Sequence, residues 1–152
     1  MNATPDIQTH TVAATFQVAS WEEETIYLAD DHTVEISGKD YPTHGFARAD
    51  VTYSYDGDVS GTGRLSYLLA YNAEGDAPTF GFEAFEGSID GHEGTLVLRH
   101  NGFHNATGVY ERLDIVENLG TGGLAAMRGF AQIEIAGHSD AGYPITFHYT
   151  MG

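Results

Sequence analysis

The chain has 152 residues, 41% hydrophobic and 12% aromatic, which is material for one core; two halves would each sit near the lower limit of independent stability. Acidic residues outnumber basic ones by 22 to 6, and Lys39 is the only lysine, so a phosphate backbone and an anionic membrane surface both meet repulsion. There is no cysteine, which excludes disulfides, thiolate metal sites and a thiol nucleophile.

Residues 1–10 read as a flexible N-terminal segment and residues 11–152 as the folded domain. The start of the chain carries no basic residue and no apolar run, so no secretory signal is expected, and no stretch approaches the roughly 20 apolar residues of a membrane span. A cytoplasmic location follows as the expectation.

From there on the pattern alternates with a period of two, and helical periodicity is missing. Residues 15–20 set Phe16 and Val18 against Thr15 and Gln17, and Trp21 before Glu22-Glu23-Glu24 reads as a strand end where an aromatic covers an opening. Residues 25–36 form the next candidate strand, followed by one in which Val51, Tyr53 and Tyr55 alternate with Thr52 and Ser54. Further candidates are residues 64–71, 79–85, 94–101, 108–116, 127–135 and 143–149. Asp56-Gly57-Asp58, residues 72–76, Asp90-Gly91 and Asn101-Gly102 supply the turns between antiparallel neighbours. With eight or nine strands and no helix to cover a sheet, the faces must bury each other, in a sandwich or a closed barrel.

The ordered phrases Thr15-Phe16-Gln17-Val18-Ala19-Ser20-Trp21, Tyr55-Asp56-Gly57-Asp58, Tyr67-Leu68-Leu69-Ala70-Tyr71, Gly81-Phe82-Glu83, Gly94-Thr95-Leu96-Val97-Leu98-Arg99-His100 and Gly120-Thr121-Gly122-Gly123 run almost to the C-terminus. Together they resemble DUF3224, a bacterial family of small proteins of unassigned function related in fold to allene oxide cyclase-like barrels. Gly123 stands where that family usually has an acidic residue, and residues 25–45 look longer than the family's segment. The resemblance implies a single eight-stranded antiparallel β-barrel, in a group whose relatives cyclise or isomerise apolar small molecules without a cofactor. It carries no catalytic set.

A barrel of about eight strands is either filled by side chains or just wide enough for one small ligand. Tyr53 and Tyr55, Tyr67 and Tyr71, and Phe80 and Phe82 are aromatic pairs at two-residue spacing; with Leu98 they are candidates to line a pocket for an apolar small molecule. The alternative is ordinary core and cross-strand pairing. Glu83 sits in an otherwise uncharged stretch facing the same way as Gly81 and Phe85, and is the first candidate for a general acid or base. Against this stands a surface carboxylate or an ion pair with Arg64, Arg99 or Arg128. His100 on a neighbouring strand would complete a carboxylate–imidazole couple. His100 and His104 share a face but lie roughly 13 Å apart along a strand, too far for one metal. The eight histidines otherwise show no ligand spacing, so no metal is expected. Gly120-Thr121-Gly122-Gly123 lacks the helix and lysine of a phosphate loop and reads as a turn. Strands apolar on both faces predict a homo-oligomer. The rival readings are a ligand carrier and a filled structural barrel.

Overall fold

The computed structural model describes residues 8–36, 38–74, 76–105, 107–136 and 142–152. The N-terminal segment expected over residues 1–10 lies largely outside the described residues, and the first strand, β1 (His10–Leu28), begins at His10. After a small hairpin of β2 (Thr33–Ile36) and β3 (Lys39–Pro42) come three long strands, β4 (Gly45–Gly57), β5 (Val59–Tyr71) and β6 (Ala77–Ile89). β7 (His92–Asn105), β8 (Gly108–Ile115), the two-residue β9 (Thr121–Gly122), β10 (Met127–Ile135) and β11 (Tyr143–Met151) complete the order.

Hydrogen bonding runs β1, β4, β5, β6, β7, β8, β10, β11 and back to β1, every pairing antiparallel, so eight strands close into a barrel. Closure removes the unpaired edges of an open sheet. No helix among the described residues is long and apolar enough to cross a membrane. Asn101-Gly102, expected as a turn, lies inside β7, whose ladder with β6 and β8 runs through it to Asn105. Of the other marked turns, Asp90 and Gly91 both take positive φ, 52° and 83°, in the two-residue loop joining Ile89 to His92. That is the twist a β-hairpin turn demands.

Inward positions alternate along β4, β5 and the first part of β6, while β1 buries Val12 and Phe16 and is exposed from Gln17 on. Ala47, Ala49, Val51, Tyr53 and Tyr55 face in from β4, and Leu65, Tyr67 and Leu69 from β5. Leu96, Leu98 and His100 from β7 are buried, as are Leu113 and Ile115 from β8 and Phe147 and Tyr149 from β11. Phe85, Ile89, Leu96, Leu124 and Tyr149 belong to this fully buried packing.

Three further local expectations are corrected. The strand expected over residues 25–36 is two pieces: Thr25 to Leu28 finish β1, and residues 33–36 pair with β3 in a separate two-stranded sheet. The reversal between them, Ala29-Asp30-Asp31-His32, holds no glycine or proline to announce it. Trp21 is no strand end, because β1 continues to Leu28 against β4 through two register shifts. Phe80 and Phe82 do not line the interior. In β6 the inward places go to Ala77, Thr79, Gly81, Glu83 and Phe85, and both phenylalanines are 56% exposed on the outer wall.

Candidate functional site

Tyr67 on β5 pairs with Gly81 on β6, which in turn pairs with His100 on β7. Because Gly81 has no side chain, the Tyr67 hydroxyl reaches across β6 to His100 Nδ1, 3.1 Å away. Glu83, two residues along β6, places Oε1 2.6 Å from His100 Nε2 and accepts the Tyr55 hydroxyl on Oε2 at 2.5 Å. On the other side the Tyr67 hydroxyl donates to Glu111 Oε2 at 2.6 Å and lies 3.1 Å from the Tyr53 hydroxyl. Glu83 and His100 are wholly buried, and Glu111 nearly so.

This chain of bonds fixes the protonation pattern. Burial opposes a charge on His100, but the hydrogen bonds to Glu111 and Glu83, and their negative charges, outweigh it and hold the imidazole up at about 9. As a cation it carries hydrogens on both nitrogens, so Nε2–H donates to Glu83 and Nδ1–H to the Tyr67 oxygen, with Glu111 Oε2 at 3.5 Å. Burial likewise works against the Glu111 carboxylate; His100 and His104 beside it nevertheless bring it down to about 2. The Tyr53, Tyr55 and Tyr67 hydroxyls are raised well above their usual range, first by burial and then by the neighbouring carboxylates, with Tyr53 adding to the rise at Tyr55 and Tyr67 and the Tyr67 hydrogen bond opposing it at Tyr53; all three stay protonated donors.

The network is complete except at two atoms. Among the described residues Glu111 Oε1 and His104 Nε2 have no hydrogen-bond partner, and they face each other at 3.9 Å, too far for a hydrogen bond of their own. Both residues line a cavity of about 110 Å³, with Phe16, Val18, Trp21, Tyr53, Val109 and Ile133 among its walls. Trp21 lies across its rim, its ring 6.1 Å from His104 and 6.0 Å from Tyr67, and its Nε1 donates to Glu23 at 3.1 Å. The result is an apolar pouch with a polar floor of one carboxylate oxygen and one imidazole nitrogen.

Of the candidates read from the sequence, Glu83 and His100 are brought together as a couple, but neither lines the cavity. Glu83 has both oxygens occupied and serves to orient and hold the charge of His100. The arginines proposed as its partners are elsewhere: Arg99 meets Asp114 at 3.4 Å and Arg128 meets Glu117 at 3.8 Å. Tyr53 lines the cavity, Tyr55 and Tyr67 belong to the network, and Leu98 is core. Tyr71 stands apart, donating to Glu23 at 2.7 Å and packed against Tyr41 of the β2–β3 hairpin. Glu111 and His104 are the residues sequence reasoning missed. The available sign was alternation: Glu111 shares its face with Leu113 and Ile115, the mark of an inward carboxylate.

One glycine makes room for the network. A Cβ on Gly63 would lie 2.0 Å from Glu83 Oε2 and 3.1 Å from the Tyr55 ring. Gly63→Ala is therefore expected to push the Glu83 carboxylate off Tyr55 and destabilise the barrel by about 1–3 kcal/mol. Urea denaturation measures it, and an unchanged midpoint would show that the interior has slack.

Fold and site together define a closed eight-stranded antiparallel barrel carrying a buried charged network beneath a small apolar mouth. Residues 12–149 match the family described as "Protein of unknown function (DUF3224)". The chain belongs to that family. It is also similar in fold to the crystal structure, at 1.84 Å resolution, of a protein with unknown function from the DUF3224 family of Shewanella oneidensis MR-1. The two share 20% identity with a TM-score of 0.74, over 95% of this chain and 99% of that one. No curated protein matches the sequence.

Proposed function

We infer that the barrel binds a small, largely apolar molecule through a hydroxyl group seated on Glu111 and His104. The observation that carries this reading is the pair of buried, unpartnered atoms at the cavity floor. Polar groups buried without partners cost about 1–3 kcal/mol each, so the floor is built to be met from the cavity side. Two atoms 3.9 Å apart can both lie within hydrogen-bond reach of one oxygen. A hydroxyl suits them, donating to the Glu111 carboxylate and accepting from the His104 N–H. The walls supply the apolar contact. About 110 Å³ is somewhat less than the roughly 150 Å³ cavity that takes benzene, and the site opens further at Trp21. A six-carbon ring needs that extra room at the Trp21 rim.

Charge sets the selectivity. Glu83 and Glu111 against one imidazolium leave a negative balance in the network, and the whole chain carries −16. Neutral and cationic ligands are favoured and carboxylates rejected, a desolvated like charge being costly.

The same two atoms favour a catalytic extension, a cofactor-independent isomerisation or cyclisation. In it His104 would polarise a ligand oxygen while Glu111 relays a proton at an adjacent carbon, the folded shape of the substrate being held by the walls. Glu111, held at about 2, is a weak base, so the binding reading stands first.

Glu111→Gln tests the floor directly. With its amide oxygen retained by Tyr67, the amide N–H₂ faces the cavity and an acceptor becomes a donor. Cyclohexanol affinity is expected to fall at least tenfold while cyclohexanone, an acceptor alone, gains. Equal affinity of parent and variant for the alcohol would remove Glu111 from the site.

A further inference from the structure

Outside the barrel, where β1 ends and the β2–β3 hairpin returns to β4, Asp30, His32 and His44 come together, a grouping hidden in the sequence by the separation of His32 from His44. Asp30 Oδ2 lies 3.0 Å from His44 Nδ1 and 3.5 Å from His32 Nδ1, and the three donor atoms all fall within 4.8 Å of one another. First-row divalent ions hold nitrogen and oxygen at about 2.0–2.1 Å, so adjacent ligands stand roughly 2.9 Å apart at right angles and 3.3 Å apart at tetrahedral angles. The two observed separations, 3.0 and 3.5 Å, each lie a little above one of those values.

The frame is fixed. Ala29 N–H donates to His44 O at 2.8 Å, Thr43 N–H to His32 O at 3.2 Å, and His32 N–H to Asp30 Oδ1 at 3.0 Å. The backbone therefore holds all three ligands on one side of the crossing, while side chains exposed by 71% and 52% at His32 and His44 leave water free to complete a coordination shell. Thr43 Oγ1, 3.0 Å from His44 Nδ1, adds a further oxygen.

The geometry points to a surface site for a divalent transition-metal ion such as zinc, ligated by His32, His44 and Asp30. Two imidazoles and one carboxylate select zinc, nickel or copper over calcium or magnesium. Bound metal ties the end of β1 to the start of β4 across the hairpin. Calorimetric titration of the full chain with zinc chloride at neutral pH, and with calcium chloride as a charge control, is the test. One equivalent of zinc is expected to bind, with affinity at least tenfold weaker in both His32→Ala and His44→Ala, and calcium is expected to show no saturable uptake. The thermal midpoint is expected to rise with zinc in the parent and not in the variants. Zinc binding unchanged in the two variants, no saturable binding in the parent, or calcium taken up equally well would overturn the assignment.

Discussion

Replacing His100 by alanine is expected to cost about 3–5 kcal/mol of stability, the largest effect of any single change in the interior. The imidazolium is the sole cation between Glu83 and Glu111, 2.6 Å from one and 3.5 Å from the other, and all three are buried. Removing it leaves two carboxylates facing low dielectric without compensation and orphans a Tyr67 lone pair. Urea denaturation at neutral pH measures the loss. A cavity alone would also destabilise, so the double variant His100→Ala with Glu83→Gln separates the causes: it recovers part of the loss if charge is the reason. A single-variant loss below about 1 kcal/mol, or no recovery in the double variant, would contradict the charged network.

Alkaline pH should weaken the fold through the same group. The His100 pKa rises from 6.5 to about 9 on folding, so its contribution is fully present below 6.5 and is lost as pH climbs through 9. By linkage that contribution is about 3 kcal/mol. Glu111 runs the other way: with its pKa lowered from 4.5 to about 2, its stabilisation is present above 4.5 and lost as pH falls through 2. Both report one shared set of contacts, so the two are not added. Stability is expected to be greatest between about pH 4.5 and 6.5 and to decline by about 3 kcal/mol by pH 10, before the buried tyrosines ionise. The His100→Ala variant should lack the alkaline slope. A parent protein as stable at pH 10 as at pH 6 would show that His100 is neutral when folded.

Much of the barrel is legible because alternation and turn chemistry are local. Tyr53 and Tyr55, or Leu96, Leu98 and His100, declare a shared face by spacing alone, and Asp90-Gly91 declares its hairpin. The direction of Glu83 and its meeting with His100 follow from the same rule. What alternation cannot supply is which of two apolar faces turns inward. β6 offers Phe80 and Phe82 on one side and Gly81, Glu83 and Phe85 on the other, and hydrophobicity points to the wrong one. The interior takes Glu83 because Tyr55 and His100, from two other strands, satisfy both of its oxygens. Glu111 stayed hidden because its partners, Tyr67 and His100, lie 44 and 11 residues away and meet it only when the sheet closes. The Asp30, His32 and His44 group depends equally on the reversal at residues 29–32, which no glycine or proline marks.

Trp21 is the only tryptophan and forms part of the cavity rim, so its fluorescence reports what enters. The decisive measurement is a titration of the native protein with cyclohexanol and with cyclohexanecarboxylate at neutral pH, followed at Trp21. A saturable change with the alcohol, at least tenfold tighter than with the carboxylate, is the predicted result. A carboxylate that binds as tightly as the alcohol, or no saturable response to either, would contradict a hydroxyl-binding floor at Glu111 and His104.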